Sequence, residues 1–346
     1  MGEPGPIRGR DLWKKLRFAW RFAREELVHL NLQLLYDCNF RCGICDFWKE
    51  PWLDRPRLSL EQVRVIAPKL RRLGPQIISI GGGEPLMHPE LLPIAETLAP
   101  DHFLVMITNG WHLTREKAAA LWRAGFYEVS VSVDYADPAK HDAQRATPGA
   151  HARALDALRW LHETRVHPWQ RAHMISVVMD DNVDEIEKLV ERSAEMGMGY
   201  LVTLYSHARG TKARRAGDRA LGERLLAVKA RHRHFLTMRG YLSRFGEAVS
   251  DGVGPCRAGK NLWNVDSQGN ATLCIDKLDE PVGNLLTDDV EVIAARLRAA
   301  QASNRCTGCW TSCRGPIETM MYGGGGPGAW WDYWQLTRDV PLGGRF

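Results

Sequence analysis

The sequence predicts an α/β protein whose parallel sheet is built from repeated strand–helix units. Six short apolar segments alternate with helical segments between residues 29 and 205. Such alternation builds parallel sheets, because each helix returns the chain to the same end of the sheet by a right-handed crossover. The length of 346 residues exceeds what one small core usually holds, so we expect one large α/β domain and an appendage.

Composition excludes several classes of protein. Apolar residues make up 45% and charged residues 25%, as in soluble globular proteins, and no apolar run is long enough for a transmembrane helix. The net charge of +5 is mild and is attributed to a basic surface, so no nucleic acid partner is expected. Eight cysteines without a signal-peptide core indicate metal ligation in a reducing, cytoplasmic compartment.

The first segment, residues 1–28, contains a predicted basic amphipathic helix over residues 11–28. Leu12, Trp13, Leu16 and Trp20 recur near helical spacing, with lysines and arginines between them. The preferred interpretation is a helix that packs on the domain and exposes a basic face. The alternative is peripheral contact with a membrane surface or a lipid substrate.

The next segment, residues 29–250, holds the strand–helix units. Ser59-Leu60-Glu61-Gln62 is a capping box, which opens a helix that Gly74 ends. The predicted strands cover residues 29–35, 77–80, 103–107, 127–133, 174–179 and 200–205, and the helices between them cover residues 59–74, 114–124, 150–163 and 182–196.

Beyond residue 206 the sequence changes character in steps. A basic loop is predicted over residues 207–217, followed by helices over 220–231 and 235–248. Near residue 251 cysteines return and helical periodicity fades, so residues 251–346 are assigned to a second domain with a tail. The tail carries four aromatic residues, most simply interpreted as core or lid packing: Trp330, Trp331, Tyr333 and Trp334.

Three cysteines directly follow the first predicted strand. Cys38, Cys42 and Cys45 have the spacing C-x3-C-x2-C. Thiolates suit iron–sulfur clusters and zinc, and closed structural sites of these metals take four ligands. Three local cysteines therefore leave one coordination position for a substrate or cofactor. A zinc knuckle or a buried cysteine cluster is the alternative interpretation.

This segment resembles the radical S-adenosylmethionine (radical SAM) enzymes. The resemblance implies that the three cysteines hold a [4Fe–4S] cluster whose fourth iron binds SAM. One electron then cleaves SAM to methionine and a 5′-deoxyadenosyl radical, which takes hydrogen from the substrate. It also implies a partial (β/α)6 TIM-like barrel with chemistry at the carboxyl ends of the strands. A flavodoxin- or ferredoxin-type protein would donate the electron.

Two turns match SAM-binding positions of that family. Gly81, Gly82, Gly83 and Glu84 match its GGE motif, in which glycine backbone and the carboxylate hold the SAM amino group. Asn109 lies in a Thr-Asn-Gly turn that resembles a second family motif, and a purely structural role is the alternative.

Three further residues match the family at single positions, and a fourth departs from its pattern. Ser132 and Asp134 end the fourth strand, where polar residues bind the SAM ribose. Arg145 matches an arginine that pairs with the SAM carboxylate, with a surface salt bridge as the alternative. Ile44 stands where many relatives carry an aromatic residue beside the adenine, so we expect an apolar contact there.

A second cysteine group has the pattern C-x12-G-x4-C followed by C-x2-C-x3-C. It resembles the SPASM/twitch extension of radical SAM enzymes, which carries auxiliary [4Fe–4S] clusters. Five cysteines close one cluster with one thiol left over, so two clusters are expected in the chain. A zinc ribbon is the alternative. The five residues are Cys256, Cys274, Cys306, Cys309 and Cys313.

Cys313 is the expected spare thiol, because Cys306 and Cys309 form the more compact chelating pair. It could replace Cys309 as ligand. A spare thiol near the barrel mouth could also donate hydrogen to a substrate radical, as in some epimerases of the family. The alternative is a buried cysteine beside the cluster.

The predicted function is a radical SAM enzyme acting on a small-molecule or lipid substrate in a biosynthetic pathway. That substrate class is preferred because the sequence shows no obvious winged-helix peptide-recognition domain. One alternative is a maturase that modifies a ribosomally made peptide. Another is a non-catalytic iron–sulfur or zinc regulator, which has no need of the SAM-binding residues.

Overall fold

The computed structural model describes residues 10–49, 51–52, 54–206, 218–323 and 327–342. The predicted loop over residues 207–217 lies outside them. A nine-stranded sheet has the order β6-β5-β4-β3-β2-β1-β7-β8-β9. Its strands are β1 His29–Leu35, β2 Ile77–Gly82, β3 Phe103–Thr108, β4 Phe126–Ser132, β5 Arg171–Val178, β6 Gly199–Leu204, β7 Leu262–Val265, β8 Asn270–Thr272 and β9 Gly283–Asn284.

Helices connect these strands and flank the sheet. In chain order they are α1 Arg10–Ala23, α2 Leu60–Arg72, α3 Leu91–Leu98, α4 Arg115–Arg123, α5 Pro138–Arg145, α6 Ala150–Glu163, α7 Ile186–Glu195, α8 Leu221–Arg231, α9 Arg239–Leu242, α10 Phe245–Ser250, α11 Val290–Ser303, α12 Gly315–Tyr322 and α13 Pro327–Thr337.

The predicted α/β class is confirmed. Strands β1 to β6 lie side by side in chain order and pair in parallel throughout. The capping box of α2 is also present, since Ser59 Oγ accepts from the Gln62 N–H at 3.3 Å and Gln62 Oε1 accepts from the Ser59 N–H at 2.9 Å. Parallel sheets are usually covered on both faces, and β1 is buried at every position.

Strand β1 has two kinds of face. Leu30, Leu32 and Leu34 belong to the main apolar core. Asn31 and Gln33 alternate with them and line an internal cavity, together with His29. Because successive side chains of a strand point to opposite faces, β1 supplies both the core and the polar wall of the barrel interior.

The sheet continues past residue 251. Strand β7 pairs in parallel with β1, in a register that places His29 opposite Leu262, and β8 and β9 add antiparallel pairs. The cysteine-rich segment therefore shares backbone hydrogen bonds with the barrel. The division into domains at residues 28 and 250 stays a prediction.

The predicted helix over residues 235–248 is wrong at its start. The Leu236 N–H donates to the Tyr200 carbonyl at 2.9 Å, and the Tyr200 N–H donates to the His234 carbonyl at 2.8 Å. Residues 234–236 thus cover the open edge of β6, whose backbone groups need partners. Helix formation begins only with α9, and α10 follows it. The short helices α3 and α5 were not anticipated.

The predicted core packing of the tail aromatics is also wrong. Trp330, Trp331 and Trp334 on α13 are 55%, 50% and 49% exposed, and Tyr333 is 37% exposed. Helix α1 packs on the domain as preferred, but it does so through Phe18 and Phe22 and leaves its other apolar face outside. Among the described helices, none is both long and apolar enough to cross a bilayer.

Candidate active site

The cysteine loop follows β1 at the carboxyl end of the sheet. Cys38, Cys42 and Cys45 line a cavity of about 490 Å³ inside the barrel. Burial raises the pKa of the Cys38 thiol to about 12, and the charges of Glu84, Cys42 and Cys45 act in the same direction. A thiol with so high a pKa ionises at neutral pH only beside a cation, which is the behaviour expected of a metal ligand.

Hydrogen bonds hold the loop in place. The Phe40 N–H donates to Cys38 Sγ at 3.4 Å, and Trp48 Nε1 donates to the Cys42 carbonyl at 3.2 Å. The Gly43 N–H donates to the Gln144 carbonyl at 3.3 Å, which ties the loop to α5. Hydrogen bonds to the surrounding chain therefore fix the conformation of the loop that carries the three thiols.

The glycine turn after β2 lies against the start of this loop. The Gly83 N–H donates to the Leu35 carbonyl at 2.8 Å, and the Glu84 N–H donates to the Asp37 carbonyl at 2.9 Å. A Cβ atom on Gly82 would lie 1.9 Å from the Leu35 carbonyl oxygen, and one on Gly83 would lie 2.0 Å from the Asp37 carbonyl oxygen. Only glycine permits this approach of the two backbones.

We expect Gly82→Ala to destabilise the fold by about 2 kcal/mol or more, because it adds a backbone clash to a residue with φ of +117°. The same change should weaken iron retention, since the displaced backbone leads directly into the cysteine loop. Thermal unfolding and iron content after anaerobic reconstitution measure the two effects.

Gly81→Ala is the matched control, because a Cβ there meets only ordinary contacts with the Gln33 side chain, at 3.7 Å or more. Equal melting temperatures and iron contents for the two variants would contradict this account of the turn.

Glu84 is buried at the base of the cavity and held by three donors. Thr108 Oγ1 donates to it at 2.6 Å, the Asn109 N–H at 2.8 Å and the Leu86 N–H at 3.0 Å. Burial raises the pKa of Glu84, and these hydrogen bonds and Arg145 act against that rise. The carboxylate is thus fixed in position at the cavity, where a cationic group would stabilise its charged form.

Asn109 uses its own side chain within the protein. Its Nδ2 donates to Asn39 Oδ1 at 2.9 Å, and its Oδ1 accepts from the Trp111 N–H at 2.9 Å. These contacts, with the backbone donation to Glu84, favour the structural interpretation of the turn. Contact with SAM stays a prediction for Asn109.

Arg145 and Asp134 form a buried ion pair. Arg145 Nη2 lies 2.6 Å from Asp134 Oδ2, and Nη1 lies 3.9 Å from Cys42 Sγ. Asp134 Oδ1 accepts from the Val177 N–H at 2.9 Å, and the residue does not line the cavity. The surface salt bridge considered for Arg145 is therefore wrong. Asp134 orients the guanidinium, and contact of Ser132 and Asp134 with the SAM ribose stays a prediction.

One nitrogen of the Arg145 guanidinium has no partner within the described chain. It lines the cavity, and its Nε has no hydrogen-bond partner among the described residues. A buried donor without a partner is costly, so a carboxylate that entered the cavity would satisfy it. This orphaned atom, together with Glu84 and the three thiols, fits a bound SAM and iron–sulfur cluster. Their roles in binding stay predictions.

Ile44 and Ser132 both line the cavity. Ile44 packs between two small apolar clusters, one around Phe40 and one around Tyr135. Ile44 thus offers an aliphatic surface to the cavity, as the expected apolar contact requires.

Sequence reasoning missed the polar residues inside the barrel. Asn31 and Gln33 line the cavity from β1, and Asn31 Nδ2 and Gln33 Oε1 have no partner within the described chain. The available signal was the alternation of polar and leucine residues in a strand buried on both faces. Ser79, Glu128 and Ser130 line the same cavity.

Four cysteines of the second group come together away from this cavity. Burial raises the pKa of the Cys256 thiol to about 12, and the nearby Cys309 charge adds to the rise. Burial also raises the pKa of Cys274, with contributions from Cys256 and Cys309. The Cys256 N–H donates to the Cys306 carbonyl at 3.0 Å. These four residues form the candidate auxiliary site.

Cys313 faces the barrel instead. It lines the central cavity, and its thiol donates to Asn31 Oδ1 at 3.6 Å. Cys309 does not line that cavity. The geometry thus separates the fifth thiol from the other four, although the assignment of cluster ligands stays a prediction.

Comparison with known proteins gives matches that cover up to 86% of this chain. Residues 32–192 match the family model of the Radical SAM superfamily. Mycofactocin maturase MftC of Mycolicibacterium smegmatis is 26% identical over 327 residues, which cover 86% of this chain and 80% of that protein. AdoMet-dependent heme synthase of Methanosarcina barkeri is 31% identical over 167 residues, 48% of this chain and 46% of that protein.

A solved structure has the same architecture. Streptococcus suis SuiB, in its complex with precursor peptide SuiA, superposes with a TM-score of 0.63 at 15% sequence identity. The superposition covers 85% of this chain and 71% of that chain. At this identity the likeness concerns the fold, and it extends through the barrel and beyond.

Proposed function

We propose that this chain, a radical SAM enzyme of the SPASM/twitch type, is a maturase that modifies a ribosomally made precursor peptide. The family predicted from the cysteine spacing is confirmed by the family match. The observation that carries the proposal is the extent of the similarity to mycofactocin maturase, which covers 86% of this chain and so reaches well beyond residues 32–192.

The peptide substrate proposed here is the alternative in the sequence analysis, which prefers a small-molecule or lipid substrate. The small-molecule or lipid substrate was preferred because no peptide-recognition domain was detected. The maturase similarity favours the peptide alternative, and SuiB, whose fold this chain shares, binds a precursor peptide.

The cavity also suits a peptide side chain. Its volume of about 490 Å³ lies in the lower half of the range typical of small-ligand sites. The residues proposed to bind SAM line the same space, so the room left over suits one side chain better than an entire large molecule. Asn31 and Gln33 offer unpaired polar atoms to such a side chain.

Different residues at the cavity would bind the cluster and the parts of SAM. Cys38, Cys42 and Cys45 would hold the [4Fe–4S] cluster, which with SAM supplies, when bound, the radical that removes a substrate hydrogen. Glu84, fixed by three donors, would accept from the SAM amino group. Arg145 would meet the SAM carboxylate through its free Nε, while Asp134 keeps the guanidinium oriented.

A second [4Fe–4S] cluster is part of the proposal. Cys256, Cys274, Cys306 and Cys309 supply four soft ligands in one place, with Cys256 buried and the other three partly buried, which suits a closed cubane. An electron donor of the flavodoxin or ferredoxin type would reduce the SAM-cleaving cluster.

Co-expression tests the proposed function. Each short open reading frame beside the gene is expressed with this protein under iron-replete, anaerobic conditions, and the peptides are examined by mass spectrometry. We expect one peptide to change mass with the active protein and to stay unmodified with the Cys38→Ala/Cys42→Ala/Cys45→Ala variant. Stimulation of 5′-deoxyadenosine formation by a small-molecule or lipid fraction, and by none of the peptides, would contradict the proposal.

A further inference from the structure

Helix α1 exposes apolar side chains on the face opposite its contact with the barrel. Leu12, Trp13, Leu16 and Trp20 are 58%, 64%, 53% and 65% exposed. At 3.6 residues per turn they fall within an arc of about 100°. Phe18 lies on the other side of the helix, with its ring 5.5 Å from that of Phe103 at a steep angle. The barrel contact therefore does not explain the tryptophans.

Helix α13 repeats this arrangement at the other end of the chain. Asp332 is fully buried and accepts from the Arg239 backbone N–H and from Arg239 Nη1, both at 2.7 Å. Trp330, Trp331 and Trp334 lie on the opposite side, about half exposed, and Trp331 stacks on Trp334 with ring centroids 4.8 Å apart. A buried carboxylate anchors the helix and holds its tryptophans outward.

Both helices lie at the amino end of the sheet. Lys14 Nζ of α1 donates to the carbonyls of Ala99 and His102, at 3.1 and 3.2 Å, just before β3 begins. Arg171, the first residue of β5, donates to the Arg338 carbonyl after α13 at 3.2 Å. The cysteine loop follows the carboxyl end of β1. The exposed tryptophans and the cysteine loop are thus at opposite ends of the barrel, and Leu336 of α13 also lines the cavity.

We propose that these two helix faces bind the surface of an anionic lipid membrane. The tryptophan surface consists of Leu12, Trp13, Leu16, Trp20, Trp330, Trp331 and Trp334. Tryptophan suits the boundary between lipid tails and headgroups, because its ring is apolar and its N–H is polar.

Charge selects lipid over protein as the partner. Positions 10–26 hold six basic residues and three acidic residues, a local excess of +3 in a chain whose net charge is +5. Lys15 and Arg17 are exposed and flank the apolar arc of α1, whereas Arg24 pairs with Glu26 at 2.8 Å. A helix lying in a membrane surface has this pattern, with tryptophan and leucine directed into the bilayer and basic residues directed at acidic headgroups.

This docking would leave the active site accessible. Because the tryptophan surface lies at the amino end of the strands, a bound protein would direct its cysteine loop away from the bilayer. A substrate would then reach the cavity from the aqueous side. The inference does not depend on the substrate class, and its test uses no turnover.

Co-sedimentation with vesicles tests the inference on the full chain. We expect binding to phosphatidylcholine vesicles that contain phosphatidylserine, and much weaker binding to pure phosphatidylcholine. Trp13→Ala/Leu16→Ala/Trp20→Ala should lower the partition coefficient by about tenfold or more. Lys15→Ala/Arg17→Ala should lower it by about tenfold on the anionic vesicles alone, and salt should do the same.

Val65→Ala/Val292→Ala is the matched control, because these valines are also exposed, at 47% and 45%, but lie on α2 and α11. It should bind like the wild type. Quenching of wild-type tryptophan fluorescence by brominated lipids gives a second measurement that needs no variant. Absence of binding and quenching, or unchanged binding by the tryptophan variant, would overturn the inference. A wild-type dimer that the tryptophan changes dissociate, without vesicle binding, would instead make this surface a protein interface.

Discussion

Replacement of Cys38, Cys42 and Cys45 together by alanine is expected to abolish 5′-deoxyadenosine formation. The barrier to removing hydrogen from an unactivated carbon is otherwise too high, so the loss should exceed about a thousandfold and reach the detection limit. The thiols line the cavity beside Glu84 and Arg145, and no other described cysteine except Cys313 lines it. The product is measured by chromatography after incubation with SAM and dithionite.

The iron content of the same variant provides the control. The four cysteines of the candidate auxiliary site are unchanged, so about four irons per chain should remain, as expected for one cubane. Residual 5′-deoxyadenosine in the triple variant would contradict the assignment of these cysteines. Loss of all iron would show that the two cysteine groups do not load independently.

Cys256→Ala should remove the auxiliary cluster, whereas Cys313→Ala should retain it. Cys256 is the buried thiol of that site and lies near Cys309, and Cys313 instead contacts Asn31 in the central cavity. After anaerobic reconstitution we expect about four irons for Cys256→Ala and about eight for Cys313→Ala, since each cubane holds four. Iron analysis and the absorbance of the reconstituted proteins measure the difference.

Cys309→Ala completes this comparison, because Cys309 and Cys313 are the two candidates for the last ligand. Both lie near Tyr241, and only Cys309 contributes to the raised pKa of Cys256 and Cys274. If Cys313→Ala loses the auxiliary cluster and Cys309→Ala keeps it, the ligand assignment is wrong and Cys309 is the spare thiol.

Much of the barrel follows from local sequence. The bounds of β1 agree with the prediction, and those of β2 to β6 agree within about three residues, because buried apolar runs bounded by turns leave few alternatives. Residues 234–236 could not be predicted in the same way. Their extended conformation depends on the open edge of β6, a partner distant in sequence.

The sequence motifs predict which residues belong to the site but not the contacts between them. Cysteine spacing and the glycine turn identified the cavity, but the pairing of Asp134 with Arg145 depends on where α5 docks. The tryptophan faces illustrate another limit. Helical spacing groups the apolar residues of α1 on one side, and only the packing of Phe18 and Phe22 shows that this side faces outward.

The most direct test of the proposed function measures whether deuterium is transferred from the peptide to 5′-deoxyadenosine. The peptide that changes mass on co-expression is synthesised with deuterium at the modified residue and incubated with reconstituted protein, SAM and dithionite. We predict that deuterium appears in 5′-deoxyadenosine in step with modification of the peptide. Unlabelled 5′-deoxyadenosine accompanying a fully modified peptide, at every deuterated position tested, would contradict the claim that this chain takes hydrogen from a peptide.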